Sequence, residues 1–191
     1  NPFVGGLGVM PTKSGMNHPG RKTLESRGKP RLSFFLPMLR SMDLSSMASE
    51  TVCVTGGAGF IGSHLVEALV RTGAKVRVLD DFSSGDPANL AKVEPKITLI
   101  EGSILDDDVL RRAIAGTTVV FHHAARVSVT ESLVNPVAYC ATNVDGTLAV
   151  LEASRQSGVR RLVYAGSCSA YGDLPGLPKG EDSPVHPTSP Y

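Results

Sequence analysis

Three glycines lie at intervals of three residues between a short apolar run and a helical pattern: Gly56, Gly59 and Gly62. The run, Val52-Cys53-Val54, is too short for a helix and rich in β-branched residues, so it predicts a buried strand. In a strand–turn–helix unit, such glycines allow a tight turn and let the backbone approach a pyrophosphate. The amides that begin the helix, around Phe60 and Ile61, would point at the phosphate charge. The stretch 51–63 predicts a dinucleotide-binding loop, with a glycine turn of purely structural role as the alternative.

A carboxylate follows the second apolar run, 76–79, at the distance that such a loop requires. Asp80 lies eighteen residues after Gly62, where an acidic side chain is expected to bind the ribose hydroxyls of an adenosine. Its charge would repel a ribose 2′-phosphate, so the sequence predicts NAD rather than NADP as the cofactor. Asp81 belongs to the same predicted binding turn. The alternative is a surface carboxylate in a strand-to-helix loop.

Two further predicted strands end in residues that could contact a ligand, because open α/β sheets bind ligands beyond the carboxyl ends of their strands. His123, Ala124 and Ala125 follow the fourth strand, and the small side chains there would let a cofactor pass close to the backbone. Ser167 follows the fifth strand, and its hydroxyl could bond a substrate hydroxyl or carbonyl, unless it is a plain strand-end serine. His122 and His123 have no Cys or carboxylate cluster near them in sequence, so we interpret them as packing residues and predict no metal site.

The elements that would position these residues alternate between strand and helix from residue 51 onward. This order is typical of an α/β fold with a doubly wound parallel sheet of the Rossmann type. Strands are predicted at 52–54, 75–79, 97–101, 118–122 and 161–165, and helices after the glycine loop up to Gly73, at 105–115 and at 137–157. Five prolines after Tyr171 predict an extended segment.

Two of the predicted helices carry informative side chains. On the first helix, four apolar residues are spaced to share one side: Ile61, Leu65, Val66 and Leu69. The second begins with three carboxylates, which would cap it and offset the helix dipole rather than bind a metal: Asp106, Asp107 and Asp108.

The composition suits one globular domain. The chain has 191 residues, of which 41% are hydrophobic and 19% charged, and no apolar run approaches the ~20 residues of a membrane span. A net charge of +1 indicates neither a nucleic-acid nor a membrane partner. Three cysteines cannot all pair with one another and match no metal spacing, which favours a reducing compartment such as the cytoplasm.

Residues 1–49 differ from the rest and show no sustained period. Residues 1–50 carry seven Lys/Arg against three Asp/Glu, whereas the remainder carries twelve against fifteen. We predict a disordered leader or non-native extension over 1–49. An organelle transit segment is the alternative, but Met47 lies just before the first strand and favours a natural start at Met42 or Met47.

These residues together resemble the extended short-chain dehydrogenase/reductase superfamily, and within it the UDP-glucose and UDP-N-acetylglucosamine 4-epimerases. TGGAGFIGSHL is similar to the family's cofactor loop and VLDDFSSG to its ribose-binding turn, and FHHAA, NVDGT and LVYAGSCSAYGD follow in the family's order. The resemblance covers about 51–191. It implies that residues 50–191 form an incomplete NAD-binding Rossmann domain, truncated before the last strands and the substrate lobe.

The resemblance also implies roles for single residues. Ser167 matches the family's catalytic Ser/Thr, Tyr191 the tyrosine of its Tyr-x-x-x-Lys pair, and Asn143 an asparagine in the helix beside the active site. In the family the tyrosine takes the proton of the sugar C4 hydroxyl while hydride passes to NAD and later returns to the other face. Ser103 and Ile104 follow the third strand, where the family commonly has an Asp that bonds the adenine amine.

Several alternatives stay open. Related 4,6-dehydratases place Asp and Glu after the catalytic Thr, and decarboxylases keep the Glu, whereas Cys168 and Ser169 stand there in this chain. We therefore favour epimerisation of a nucleotide sugar, by a homodimer when full length. With the Lys and the substrate lobe missing, we expect negligible turnover from these residues alone. A non-catalytic NAD-binding fragment or another extended short-chain reductase are the alternatives.

Overall fold

The computed structural model describes residues 44–176 and 178–191. Residues 1–43 of the predicted leader therefore lie outside the described residues. Its last part differs from the prediction, because Leu44–Met47 forms a 3-10 turn. Met47 packs against the hydrophobic core and its carbonyl accepts a hydrogen bond from Glu50 N at 2.9 Å. Residues 44–50 therefore pack onto the rest of the described chain.

Five parallel strands form one sheet in the order β3-β2-β1-β4-β5. Their bounds are β1 Thr51–Thr55, β2 Lys75–Asp80, β3 Ile97–Glu101, β4 Val119–His122 and β5 Arg161–Tyr164. All five predicted strands are present to within one residue at each end, and the doubly wound parallel sheet is confirmed. Since β1 and β4 are neighbours, the loops that follow them meet at one edge, with Thr55 opposite His122.

The helices lie in the connections between the strands. Their bounds are α1 Phe60–Thr72, α2 Asp107–Ile114, α3 Val129–Val134, α4 Pro136–Cys140 and α5 Gly146–Gln156, with 3-10 turns at Pro87–Leu90, Glu94–Lys96 and Cys168–Tyr171. Helix α1 ends as predicted at Gly73, whose φ of 90° is left-handed. Asp106 caps α2 by accepting a bond from Val109 N at 3.1 Å.

Helices α4 and α5 are joined without a break by a π-helical turn, Ala141–Asp145. The sequence predicted a uniform helix over 137–157, but Gly146 N–H bonds to the carbonyl of Ala141, five residues back. Such π-turns are rare and are frequently found at functional sites. Helix α3 was not predicted. It is only six residues long and begins at Ser128, whose hydroxyl accepts a bond from Glu131 N.

Alternation along the strands divides the hydrophobic core between the two faces of the sheet. Val52 and Val54 of β1 face α1 and the turn at Leu90, whereas Cys53 between them faces α2 and α5. A parallel sheet buried on both faces needs apolar residues at successive positions, which is why β1 showed no polar alternation.

The predicted apolar side of α1 is wrong at Ile61. Val66 and Leu69 are fully buried, but the Ile61 side chain is 65% exposed. The first turn of α1 approaches the sheet through Gly62 and Ser63, which are small enough for close contact. Because Gly62 and Ser63 form the side of this turn that faces the sheet, Ile61 points away from the core.

Candidate functional site

At two positions of the glycine loop, a side chain would overlap the main chain of a neighbouring residue. Gly56 has a φ of 69°, and a Cβ atom there would lie 2.6 Å from the amide nitrogen of Ala124. A Cβ atom on Gly62 would lie 2.2 Å from the carbonyl oxygen of Gly56. The first contact joins the β1–α1 loop to the loop after β4, and the second brings α1 close to the turn.

The start of α1 presents the features of an anion site. The first amides of an α-helix have no acceptor within the helix, and the N-cap residue here is Gly59, which offers no side-chain oxygen. Phe60 and Ile61 are 79% and 65% exposed at this end. A bound dinucleotide would use the amides for its phosphates and cover part of this apolar surface.

The Asp80 carboxylate lies under the glycine loop and is only 7% exposed. Its Oδ2 accepts a hydrogen bond from Ala58 N at 2.8 Å, and its Oδ1 accepts one from Phe82 N at 2.9 Å. Asp81 is exposed and its Oδ1 accepts bonds from the amide and hydroxyl of Ser83, at 2.9 Å and 2.6 Å. Asp80 therefore fixes the loop, and its contact with a ribose stays a prediction.

Ser103 and Ile104 lie beyond β3. The Ser103 hydroxyl accepts a bond from Leu105 N at 3.2 Å, which holds the turn before α2. Ile104 is 4% exposed and its side chain packs against Gly146, at the start of α5. The predicted cofactor contact of Ile104 can therefore involve only its main chain.

A small cleft of about 60 Å³ opens where β4 and β5 end. This cleft is lined by six of the residues that the sequence predicted for the site: His123, Ala124, Ala125, Asn143, Ser167 and Tyr191. They come from the loops after two strands, the π-turn and the last residue of the chain. The structure thus brings together residues that lie up to 68 positions apart in the sequence.

Tyr191 follows a segment whose described residues, 172–176 and 178–190, form turns, bends and extended chain. His186 N donates to the carbonyl of Ala170 at 2.8 Å, which ties the segment back to the turn after Ser167. The Tyr191 ring packs edge-on against Tyr139, with ring centres 6.5 Å apart. The Ser167 side chain is exposed, and its hydroxyl accepts a bond from Ser169 N at 3.2 Å. Both residues line the same cleft.

Asn143 lies in the π-turn and clamps the loop after β4. Its Oδ1 accepts a bond from Arg126 N at 2.9 Å, and its Nδ2 donates to Arg126 O at 3.0 Å. Both amide functions are engaged with one residue of the main chain. Asn143 therefore fixes the loop 123–126 that forms one wall of the cleft.

His122 is buried at the end of β4 between two hydroxyls. Its Nδ1 lies 2.7 Å from Thr55 Oγ1, and its Nε2 lies 3.0 Å from Thr147 Oγ1. Burial, together with the neighbouring His123, lowers the pKa of His122 to about 4, so the ring is neutral at pH 7. Burial also lowers the pKa of His123. Within residues 44–176 and 178–191, no group of three or more His, Cys, Asp or Glu side chains is placed to hold a metal ion.

Four residues of this region were not predicted from the sequence: Thr55, Thr147, Tyr164 and Ala165, the last of which also lines the cleft. Thr147 and Tyr164 line the cleft, and Thr55 lies directly behind it. Thr147 could have been found, because it lies four residues after Asn143 and so on the same helical face.

In the part of the chain that the structure describes, no helix has the length and apolar character needed to span a membrane.

Comparison with known proteins places this geometry in a family. The UDP-glucose 4-epimerase of Mycolicibacterium smegmatis is 44% identical over 142 residues, which are 72% of this chain and 45% of the relative. A UDP-N-acetylglucosamine 4-epimerase from Methanobrevibacter ruminantium, solved with UDP-N-acetylmuramic acid, superposes with a TM-score of 0.70 at 35% identity, over 75% of this chain and 46% of its own.

A dTDP-glucose 4,6-dehydratase from Streptomyces venezuelae, solved with NAD bound, also gives a TM-score of 0.70, at 36% identity over 74% of this chain and 47% of its own. The chain therefore spans about half the length of the relatives that it matches. The model of the NAD dependent epimerase/dehydratase family matches residues 52–191, nearly the whole described part. We conclude that this chain belongs to the NAD dependent epimerase/dehydratase family.

Proposed function

We propose that this chain is the NAD-binding part of a nucleotide-sugar 4-epimerase that acts on a UDP-hexose by transient oxidation at C4. The observation that carries the proposal is the cleft beyond β4 and β5, where Ser167, Tyr191 and Asn143 meet beside the glycine loop. The 44% identity to a UDP-glucose 4-epimerase supports the same reaction class.

The residues of the site fit NAD. The amides at the start of α1 would hold the pyrophosphate, and the exposed rim at Phe60 and Ile61 would pack against the cofactor. Asp80, at the end of β2, would face the adenosine ribose and disfavour a 2′-phosphate. When bound, NAD supplies a hydride acceptor that returns the hydride within each cycle.

The chain's own residues would move the proton and orient the sugar. The Tyr191 side chain, in its phenolate form, would accept the proton of the C4 hydroxyl and become the phenol, and the Ser167 hydroxyl would hold that oxygen in place. Cys168 and Ser169 offer no carboxylic acid at the positions after Ser167. Their identity favours epimerisation over elimination of water, although a dehydratase is among the structural neighbours.

The described residues alone form too small a site for a nucleotide sugar. The cleft holds about 60 Å³, whereas ligand pockets measure roughly 300–1,000 Å³. Ser167 and Tyr164 are exposed rather than enclosed. We therefore expect the 191-residue chain to bind NAD and to show negligible turnover of a UDP-sugar.

We also propose that the full-length protein is a homodimer formed through α4, the π-turn and α5. Four exposed apolar residues recur there at intervals of seven, four and three: Val137, Val144, Leu148 and Leu151. This spacing makes a continuous apolar stripe along one helical side. A second copy of the same stripe would bury it in a self-complementary contact.

We further propose a reducing compartment, the cytoplasm, for this protein. All three cysteines, Cys53, Cys140 and Cys168, are free thiols. Cys53 is buried in β1, and burial raises the pKa of its thiol to about 12. Free thiols of this kind are typical of proteins that function where disulfides do not form.

A chimera tests the catalytic proposal. Residues 44–191, which include the turn whose Met47 packs against the core, would be fused to the part of the Mycolicibacterium smegmatis UDP-glucose 4-epimerase that this chain does not match. We expect the chimera to bind NAD and interconvert UDP-glucose and UDP-galactose, whereas the 191-residue chain binds NAD only. A chimera that folds and binds NAD but does not epimerise either UDP-hexose would contradict the proposal.

Two variants of the chimera test the residue roles. Tyr191→Phe should lower kcat by a factor of about 10² or more, because proton transfer by a positioned side chain contributes that much. Ser167→Ala should also lower kcat, because it removes the hydroxyl that holds the C4 oxygen. NAD affinity should change little in both. A matched control is Ser169→Ala, which removes a hydroxyl two residues away and should leave kcat within about a factor of three. Equal activity of Tyr191→Phe and the parent chimera would exclude the proposed proton acceptor.

A further inference from the structure

A continuous chain of hydrogen bonds runs behind the cleft and joins four elements. Ala124 N lies 3.4 Å from Thr55 Oγ1, which lies 2.7 Å from His122 Nδ1. His122 Nε2 lies 3.0 Å from Thr147 Oγ1, which lies 2.7 Å from the carbonyl oxygen of Asn143. The chain thus connects the loop after β4, the end of β1, the end of β4 and the continuous helix to which Asn143 of the π-turn and Thr147 of α5 belong.

The chemistry of the end groups fixes the direction of every bond. The carbonyl of Asn143 can only accept, so the Thr147 hydroxyl donates to it and accepts from His122. The Nε2 atom of His122 therefore carries the proton, and Nδ1 accepts from the Thr55 hydroxyl. Thr55 then has a lone pair for the amide of Ala124.

Both ends of the chain hold the same loop. Ala124 N–H is bonded through Thr55, and the side chain of Asn143 binds the main chain of Arg126 on both its N–H and its carbonyl. The same loop contacts the glycine turn, since a Cβ atom on Gly56 would overlap Ala124 N. Thr55 itself is 0% exposed, so it affects a ligand only through this loop.

We propose that Thr55, His122 and Thr147 form a positioning relay that couples the end of β1 to the π-turn and so holds loop 123–126 in its NAD-binding conformation. His122 is the central member, because it accepts a hydrogen bond from Thr55 and donates one to Thr147. None of the three moves a proton in the reaction. This inference rests on the proposed function in one respect only, the identity of the ligand as NAD.

Matched threonine variants test the relay. Thr55→Val and Thr147→Val each remove one hydroxyl at constant shape, whereas Thr55→Ser and Thr147→Ser keep it. Calorimetry on the 191-residue chain should show an NAD Kd about tenfold higher for each valine variant, the effect of one hydrogen bond, and near wild type for each serine variant. The double valine variant should be hardly weaker than either single variant, because each change already uncouples His122.

Spectroscopy of the NAD-free chain tests the relay independently of binding. We expect the His122 ring nitrogens to report a neutral imidazole with its proton on Nε2. In Thr147→Val the amide resonances of Ala124 and Arg126 should shift, although Thr147 bonds to neither, and Thr147→Ser should restore them.

Each outcome has a distinct meaning. A proton on Nδ1, unshifted Ala124 and Arg126 amides, or serine variants that bind NAD as weakly as the valine variants would overturn the relay. Strictly additive effects in the double variant would overturn the coupling through His122. Absence of NAD binding by the wild-type chain would overturn the proposed function, and the amide shifts would still decide whether the relay exists.

Discussion

The amide of Ala58, in the glycine loop, donates a 2.8 Å hydrogen bond to the carboxylate of Asp80 at the end of β2. The other carboxylate oxygen accepts from Phe82 N at 2.9 Å. The residue predicted to bind the ribose therefore also fixes the loop predicted to bind the pyrophosphate. A substitution of Asp80 should therefore affect both parts of the predicted cofactor site.

Asp80→Asn should lower both stability and NAD affinity. An asparagine keeps one carbonyl acceptor but places an NH₂ group against a backbone N–H, so one buried amide loses its partner. The expected cost is about 1–3 kcal/mol in the free energy of unfolding, measured by urea denaturation. The free energy of NAD binding to the same variant, measured by calorimetry, should become less favourable by at least the same amount.

The matched control is Asp173→Asn, which makes the same chemical change at an exposed position in the segment after β5. It should change the free energy of unfolding by less than about 0.5 kcal/mol. If Asp80→Asn were as stable as this control, the carboxylate would not be holding the glycine loop.

Gly56→Ala should abolish NAD binding, whereas Gly116→Ala should not. Both glycines have nearly the same left-handed backbone, with φ of 69° and 67°, so both variants carry a similar conformational strain of about 1 kcal/mol. Only at Gly56 would the new Cβ atom overlap the main chain of Ala124, while nothing lies within 4 Å at Gly116. Thermal unfolding and NAD calorimetry on both variants separate the two effects. Equal NAD affinities would show that the close contact is not needed.

Local sequence patterns were sufficient for the sheet. The strands are short, β-branched and punctuated by glycine, and these signals do not depend on what packs against them. The glycine spacing and Asp80 likewise predicted one edge of the site. Tyr191 became a candidate only through family resemblance, because a terminal tyrosine carries no local signal.

Tertiary contacts decided what the sequence could not predict. The bond between Thr55 and His122 joins residues 67 positions apart, and no local period contains it. The helical spacing placed Ile61 on the buried side of α1. The close approach of Gly62 to Gly56 instead leaves Ile61 exposed. The π-turn at Ala141–Asp145 leaves the apolar pattern of a helix intact, so the pattern alone predicted a regular helix.

Leu148→Lys combined with Leu151→Lys should prevent dimerisation of the chimera. Both side chains are exposed at the end of the apolar stripe that lies on α5, where two like charges from each copy would be buried in the contact. Sedimentation equilibrium should show a dimer for the parent chimera and a monomer for the variant.

Val185→Lys is the control, since Val185 is equally exposed but lies outside the stripe. It should leave the dimer intact. A double lysine variant that stays dimeric would place the interface elsewhere on the protein.

The buried imidazole of His122 should make the protein less stable as the pH falls from about 6.5 to about 4. The native pKa is near 4 and the ordinary value is 6.5, so in this range the unfolded chain binds a proton that the native chain does not. The free energy of unfolding therefore falls toward acid, by about 3 kcal/mol at most for this one group. Urea denaturation at pH 7, 6 and 5 measures most of the slope before carboxylates with lowered pKa values, such as Glu50, begin to contribute.

His122→Asn should flatten this slope, because asparagine does not titrate while its carbonyl can still accept from Thr55. The variant His123→Asn serves for comparison. Burial lowers the pKa of the half-buried His123 as well, so removing this imidazole should reduce the slope of stability against pH by a smaller amount. An unchanged slope in His122→Asn would mean that His122 already binds a proton in the native protein between pH 5 and pH 6.5. Protonation there would oppose the bond from Thr55 to Nδ1, so the same measurement bears on the hydrogen-bond chain behind the cleft.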